Sequence, residues 1–238
     1  MITFTSVTKV FGNGTKALDD ISFHIDPGEL VVLEGESGAG KTTLMRLILK
    51  ELPPSSGTIK IDGDDLALIQ PKNIPLLRRK IGVVFQDFKI LYDRTVEENI
   101  ELALDILNLG SQVAKTRAQE LLTLTELSDK GDDFPIQLSG GQLQRVIIAR
   151  ALAGEPKILF ADEPTGNLDA KTGLAIVELL ADINKQGTTV VIATHDVDLV
   201  KGLHARTINL EKGKIVKDTG KKAPKSSQDD KKTEKPVK

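Results

Sequence analysis

The run Gly35-Glu36-Ser37-Gly38-Ala39-Gly40-Lys41-Thr42 limits the fold of this chain more than any other feature. It has the form G-x-x-x-x-G-K-[ST]. It follows the apolar stretch Leu30-Val31-Val32-Leu33 after Glu34 and opens a helical pattern from Lys41 to about Glu51. A short continuous apolar stretch reads as a strand buried on both faces. Strand, glycine-rich loop and helix in that order make a cradle for phosphate. The glycines let the backbone wrap closely, so successive N–H groups and the helix N-terminus face the anion. In such a cradle Lys41 can reach the β- and γ-phosphates, and the Thr42 hydroxyl can bind Mg2+. A glycine-rich turn with an incidental lysine would not need the flanking strand and helix. Alone, the loop implies nucleotide phosphates and does not say which reaction follows.

The rest of the chain continues the alternation. Ile81 to Phe85, Ile158-Leu159-Phe160-Ala161 and Val190-Val191-Ile192-Ala193 are strand candidates. Helical patterns run from Val96 to about Asn108, Val113 to about Leu127, Gly140 to about Ala153 and Thr172 to about Gln186. Pro53, Pro54 and Gly57 end the first helix. Such alternation predicts an α/β fold with a mostly parallel, covered sheet. The helical pair after Val96 reads as an insertion between two parts of the core. The first 35 residues read mostly as β: Ile2, Phe4, Val7 and Val10 alternate imperfectly, Ile21, Phe23 and Ile25 cleanly, and Pro27-Gly28 makes a turn. With 238 residues, the chain can hold one large α/β domain or a compact domain with an inserted subdomain.

Composition narrows the functions. Hydrophobic residues at 39% and charged residues at 28% fit an ordinary globular domain. A formal net charge of −2 supplies no whole-molecule field for nucleic acid, so no nucleic-acid partner is expected. There is no cysteine, which excludes disulfides and thiolate metal sites. No apolar run approaches the length needed to span a bilayer, and Met1-Ile2-Thr3-Phe4-Thr5 lacks the character of a signal peptide. A role at a membrane is therefore expected to come through a partner. From Lys217 to Lys238 the composition shifts to eight lysines against four acids, a surplus of four positive charges. That stretch reads as a solvated, disordered extension, with contact to an anionic lipid surface as the alternative.

Two further motifs carry chemistry. The strand Ile158–Ala161 ends in Asp162-Glu163, and ligands of open α/β sheets bind beyond the carboxyl ends of strands. Asp162 is placed to hold Mg2+ through water, and Glu163 to orient and deprotonate an attacking water. A strand ending at a polar turn before Pro164 is the plainer alternative. Leu138-Ser139-Gly140-Gly141-Gln142 precedes a helix with Leu143, Val146 and Ile147 on one face. Ser139 suits an N-cap and the glycines leave N–H groups open, so this is either a capped helix start or a second anion site.

Together these residues resemble the ABC (ATP-binding cassette) ATPase family over about residues 1–216. LSGGQ at 138–142 looks like the family signature, and its combination with the phosphate loop and acidic pair is highly specific. The resemblance implies a P-loop NTPase core of RecA type with a mostly parallel sheet, an N-terminal antiparallel β subdomain and a helical subdomain at about 96–153. The charged tail would follow at 217–238. ATP and Mg2+ are the implied ligands, with Gly35, Glu36, Ser37, Gly38, Ala39, Gly40, Lys41, Thr42 and Thr43 around the phosphates. Gln86 matches the glutamine that senses Mg2+ and the attacking water, and His195 the switch histidine that contacts the γ-phosphate. Asn167-Leu168-Asp169 matches the loop that crosses the dimer interface. Phe11 falls where the family places an aromatic on adenine, although the residue pattern alone makes it a core residue. Two such subunits sandwich two ATP molecules, so Ser139, Gly140, Gly141 and Gln142 of one chain would complete the site at Lys41 of the other. His24 and His204 match no motif and read as structural or surface residues.

Within the family, the run Phe85-Gln86-Asp87-Phe88-Lys89-Ile90-Leu91-Tyr92-Asp93-Arg94-Thr95-Val96 looks like the bacterial cell-division group. Phe134-Pro135-Ile136-Gln137 and Glu163-Pro164-Thr165-Gly166-Asn167-Leu168-Asp169 are similar to it too. The last also occurs in lipoprotein-release and macrolide-export ATPases, which stand as the alternative. Leu143, where many relatives carry a polar residue, and the long charged tail depart from the pattern. The resemblance implies an integral membrane partner contacted by the segment after Gln86, and a location at the cytoplasmic face of the plasma membrane through it. Phe88, Ile90, Leu91 and Tyr92 either form that contact or pack internally. The expected activity is ATP hydrolysis driving the partner. A nucleotide-dependent scaffold without turnover would not need Glu163, Gln86 and His195 together. DNA-repair and ribosome-associated relatives usually carry two cassettes or large insertions.

Overall fold

The structure is a computed structural model that describes residues 1–220. In chain order the strands are β1 (Ile2–Val10), β2 (Lys16–Ile25), β3 (Leu30–Glu34), β4 (Ser56–Ile61), β5 (Asp64–Asp65), β6 (Ile81–Val84), β7 (Ile158–Asp162), β8 (Thr189–Thr194), β9 (Arg206–Glu211) and β10 (Lys214–Asp218). The helices are α1 (Lys41–Ile48), α2 (Ile74–Arg79), α3 (Val96–Asp105), α4 (Ser111–Leu124), α5 (Gly140–Leu152), α6 (Ala170–Lys185) and α7 (Val197–Val200).

The central sheet has the order β10-β9-β3-β8-β7-β6 and is parallel except for β10. Its inner strands are the continuous apolar runs of the sequence, and period-two geometry splits each run between two cores. Val32, Leu159, Ala161, Val190 and Ile192 face one core, with the apolar sides of α3, α4, α5 and α6. Val31, Leu33, Ile158, Phe160, Val191 and Ala193 face the other, with α1 and an antiparallel sheet of order β2-β1-β4-β5. The antiparallel N-terminal sheet and the helical layer thus lie on opposite faces of one parallel sheet. Gly82 of β6 is required by close approach: a Cβ there would lie 2.3 Å from the carbonyl oxygen of Ala151 on α5.

Several local features differ from the periodic reading. Val10 is exposed, because register shifts interrupt β1 after Phe4 and Ser6 takes a φ of +47°. That bulge restores Val7 to the core side, beside the stacked rings of Phe4 and Phe23. α1 stops at Ile48, ahead of the prolines, with Lys50 in the left-handed conformation usual for glycine. The Lys50 ammonium holds the carbonyls of Leu66 and Ile69, which keeps a lysine there. α3 ends at Asp105, and α6 starts at Ala170 with Asp169 as its N-cap.

The shift in composition at Lys217 does not end the ordered chain. Lys217 and Asp218 belong to β10, and Asp218 pairs at 2.7 Å with Arg206, which Glu29 also binds. The expectation for the stretch beyond Gly220 lies outside the described residues. Among the described residues, no helix is long and apolar enough to cross a membrane.

Candidate active site

The phosphate loop joins β3 to α1, and its shape depends on Gly40, the N-cap of α1, at φ +115°. A Cβ there would lie 2.7 Å from the carbonyl oxygen of Ala17 and 2.8 Å from Leu18 Cδ2. Lys41 is only 5% exposed. Its Nζ donates to the carbonyls of Gly35 at 2.6 Å and Glu36 at 3.2 Å and pairs with Glu163 Oε1 at 3.1 Å. Thr42 Oγ1 donates to Asp162 Oδ2 at 2.9 Å. The other carboxylate oxygen of Asp162, Oδ1, is buried without a hydrogen-bond partner.

Strands β7 and β8 deliver the remaining groups from adjacent ends. Asp162 closes β7, and Glu163 turns out of it with a φ of +48°. A left-handed glutamate costs on the order of 1 kcal/mol, and the Glu163 N–H bond to Ala193 O at 2.8 Å helps to hold it. Its Oε2 lies 2.9 Å from His195 Nδ1, just past β8, so the imidazole N–H donates to the carboxylate. One carboxylate thus bridges the loop lysine and the histidine.

Electrostatics separates the two neighbouring acids. Burial pushes the Asp162 carboxyl above its usual range, and the Glu163 charge adds to this against the Thr42 hydrogen bond. Burial also pushes Glu163 up, but the His195 and Lys41 contacts outweigh it and hold the carboxyl below its usual range. Two adjacent acids with opposed shifts suit different tasks.

A cleft of about 190 Å³ is lined by Ala17, Ser37, Gly38, Gly40, Lys41, Thr42, Thr43, Gln86, Glu163 and His195. It brings the loop together with Gln86, Glu163 and His195, which lie far apart in the chain. Asp162 sits behind Thr42. Phe11 does not line this cleft; it is half-buried at the turn between β1 and β2, with the Lys9 ammonium 5.6 Å from its ring centroid. The residue of that hairpin that does reach the cleft is Ala17, which carries no sequence signal.

Ser139–Gln142 also lie outside the cleft lining. Ser139 caps α5: its Oγ accepts from Gln142 N–H at 3.3 Å, while its own N–H donates to Gln142 Oε1 at 2.9 Å. A Cβ on Gly140 would meet Leu168 Cδ2 at 3.2 Å, and one on Gly141 would meet Thr172 Cγ2 at 2.4 Å. The start of α5 and the segment Asn167-Leu168-Asp169 therefore share one surface. Asp169 holds Thr172 through N–H and hydroxyl bonds of 3.0 and 2.6 Å. His24 bonds Thr3 across the first sheet and Asp26 just past the end of β2, and His204 is exposed.

Behind Gln86, Ile90 is 8% exposed and belongs to the helical core; Phe88 is half-buried and packs against that core, and Leu91 is half-buried. Only Tyr92 of the four apolar residues stands well exposed, at 57%. Sequence reasoning passed over Asn99, fully buried on α3 and bonded to the backbone of this segment. The signal was an asparagine between Val96 and Ile100 on the apolar stripe.

The sequence matches the ABC transporter family over residues 18–166. Relatives named cell division ATP-binding protein FtsE include one from Bacillus subtilis, 49% identical over 218 residues, covering 92% of this chain and 96% of its own. Another, from Escherichia coli strain K12, is 43% identical over 215 residues, covering 90% of this chain and 97% of its own. Among solved structures, a dimeric post-hydrolysis state of the ATP-binding cassette MJ0796 bound to ADP and Pi is 38% identical, with a TM-score of 0.82 and coverage of 92% and 97%. The structure of cbiO1 from Clostridium perfringens, part of the ABC transporter complex cbiONQ, is 32% identical, with a TM-score of 0.86 and coverage of 91% and 87%.

Proposed function

The chain belongs to the ABC transporter family of ATP-binding proteins, and on that premise we propose that it is the ATP-hydrolysing subunit of a cell-division complex, working as a nucleotide-closed homodimer on an FtsX-like integral membrane partner. The observation that carries this reading is the division of the chemistry within one chain. Lys41, Gln86, Glu163 and His195 line a single cleft, while Ser139–Gln142 form the capped start of α5 outside it. Two anion sites, each incomplete alone, are satisfied when two copies meet head to tail.

In that reading the phosphate-loop N–H groups and Lys41 hold the β- and γ-phosphates of ATP. A phosphate oxygen at Lys41 Nζ competes with Glu163 Oε1, now 3.1 Å away. Exchange of that partner removes one of the contacts that lower the Glu163 pKa, so the carboxylate becomes a better base as the substrate settles. Glu163, oriented by His195, then takes a proton from water, whose oxygen attacks the γ-phosphorus while the β–γ anhydride bond breaks toward ADP. Gln86 orients that water, and His195 contacts the γ-phosphate. Ser139–Gln142 of the second copy close the chamber.

The donor set fits Mg2+. The unpartnered buried Asp162 Oδ1 and the Thr42 hydroxyl are hard oxygen groups at the rear of the phosphate loop. Thr42 would hold the ion directly, Asp162 through water, and Gln86 of the cleft lining would be a further ligand; bound there, it would neutralise phosphate charge.

The membrane partner's cytoplasmic segment fits a groove of about 570 Å³ lined by residues including Phe85, Phe88, Lys89, Ile106, Leu107 and Arg150. Phe88, Lys89 and exposed Tyr92 supply the contact, and the chain lies at the cytoplasmic face of the membrane through it. Buried Ile90 is not part of this surface. The relatives named for cell division favour that role over lipoprotein release or macrolide export.

A mixing experiment tests the composite site. Ser139→Arg and Lys41→Ala chains are each expected to be inactive. Mixed, they form heterodimers with one intact site, so phosphate release should rise well above either variant alone. No recovery, with heterodimers demonstrated by differential tags, would count against the head-to-tail sandwich.

A further inference from the structure

Residues 86–95 leave the central sheet beside the cleft and end at α3, where Thr95 is the N-cap. Two anchors hold the stretch between. Asn99, in the first turn of α3, is fully buried, and its side chain bonds only backbone of residues 91–95. Its Oδ1 accepts from the Leu91 N–H at 3.0 Å. Its Nδ2 lies 2.9 Å from Leu91 O, 3.2 Å from Arg94 O and 2.8 Å from Thr95 O, so two hydrogens serve three carbonyls. The second anchor is Arg150, whose Nη1 donates to Lys89 O at 2.8 Å. Arg150 lies on α5, the helix that begins with Gly140-Gly141-Gln142.

Burying a carboxamide is costly unless its groups are paired, and an apolar side chain would fill the same core position more simply. Every partner of Asn99 is in one loop, so the residue serves that loop. Lys89 holds a φ of +48°, a conformation a lysine keeps only when its surroundings enforce it. Only Asp87 and Phe88 then separate the anchored Lys89 from Gln86 in the cleft.

We infer that Asn99 and Arg150 are positioning residues for Gln86, which tie the segment behind it to α3 and α5 and so hold the cleft in register with the helix that carries Ser139. The inference rests on the proposed role of Gln86 in hydrolysis.

Steady-state ATP hydrolysis by the full chain, over a range of ATP concentrations, tests this with Gln86→Ala, Asn99→Ala and the double variant. Asn99→Ala is expected to lower kcat roughly ten- to a hundredfold, the scale of a misplaced reacting group. KM for ATP should stay within about twofold, because the phosphate loop is untouched. The double variant should be no slower than the slower single one, since both substitutions remove the same positioned amide. Losses that multiply, or an unchanged kcat in Asn99→Ala, would overturn the inference. Wild-type turnover by Gln86→Ala would remove the reading on which it rests. If Asn99→Ala does not fold, Arg150→Met carries the test, because methionine has no donor for Lys89 O, with recovery in Arg150→Lys, which keeps one; no loss in Arg150→Met overturns the inference.

Discussion

Replacing Glu163 with glutamine separates two jobs that one carboxylate performs. Glu163→Gln keeps the length of the side chain and an oxygen that can accept from Lys41 Nζ, now 3.1 Å away. It removes the charge and the capacity to take a proton. Loss of a general base typically costs 10²–10⁴ in rate, a barrier increase of about 2.7–5.4 kcal/mol. Phosphate release at saturating ATP should fall by that factor. The side chains of Lys41 and Glu163 are 5% and 10% exposed, so loss of the charge leaves a desolvated ammonium with neutral acceptors only. That costs about 1–3 kcal/mol of stability without nucleotide, or roughly 2–12 °C in melting temperature for a domain of this size. ATP should offset it, because phosphate supplies the missing negative charge and the glutamine competes for Lys41 less strongly. The variant should therefore bind ATP at least as tightly as wild type and elute as a dimer in its presence. Phosphate-release kinetics, thermal melts with and without ATP, and gel filtration read the three parts independently. Turnover within about threefold of wild type would refute the assignment of Glu163 as base, since no base effect is that small. A melting temperature unchanged without ATP would refute the stabilising ion pair.

Two further outcomes follow from the same geometry. The Glu163 pKa is held below its ordinary value of 4.5, so the carboxylate's contribution to stability is complete above about that pH and is lost as pH falls through the lower folded value; Lys41 from α1, Asp162 from β7 and His195 after β8 are the charged or titratable groups facing it. The gap in melting temperature between wild type and Glu163→Gln should therefore be constant near neutrality and narrow in acid, and a gap that widens there would contradict the sign. Tyr92 is exposed, so Tyr92→Asp should leave melting temperature and ATP binding unchanged while weakening co-purification with an FtsX-like partner from detergent-solubilised membranes; undiminished recovery of the partner would take Tyr92 out of that contact.

The parts legible in the sequence are those in which local chemistry suffices. The phosphate loop needs glycines, a lysine and a hydroxyl at set spacing, whatever the remainder of the chain does. Strands β3, β7 and β8 are buried on both faces, so each appears as an unbroken apolar run. The acidic pair was readable because it ends such a run. Strands β4, β5, β9 and β10 were not picked out: they are short or half-exposed, and their weak alternation gains meaning only from the neighbours they pair with. Register likewise decided that Val10 faces solvent, and packing of the segment after β6 on the helical layer decided that Ile90 lies in the core.

What the tertiary structure alone decided is which charges meet. Lys41 and Glu163 were readable separately as a phosphate ligand and a base, but their mutual pairing depends on β3 and β7 both flanking β8. The fully buried Asn99 looked like a polar interruption of an apolar stripe until the loop it holds was folded over it. A sequence states the chemistry and reach of each side chain. Strand order and helix packing set the distances, and distance determines whether two groups neutralise, orient or ignore one another.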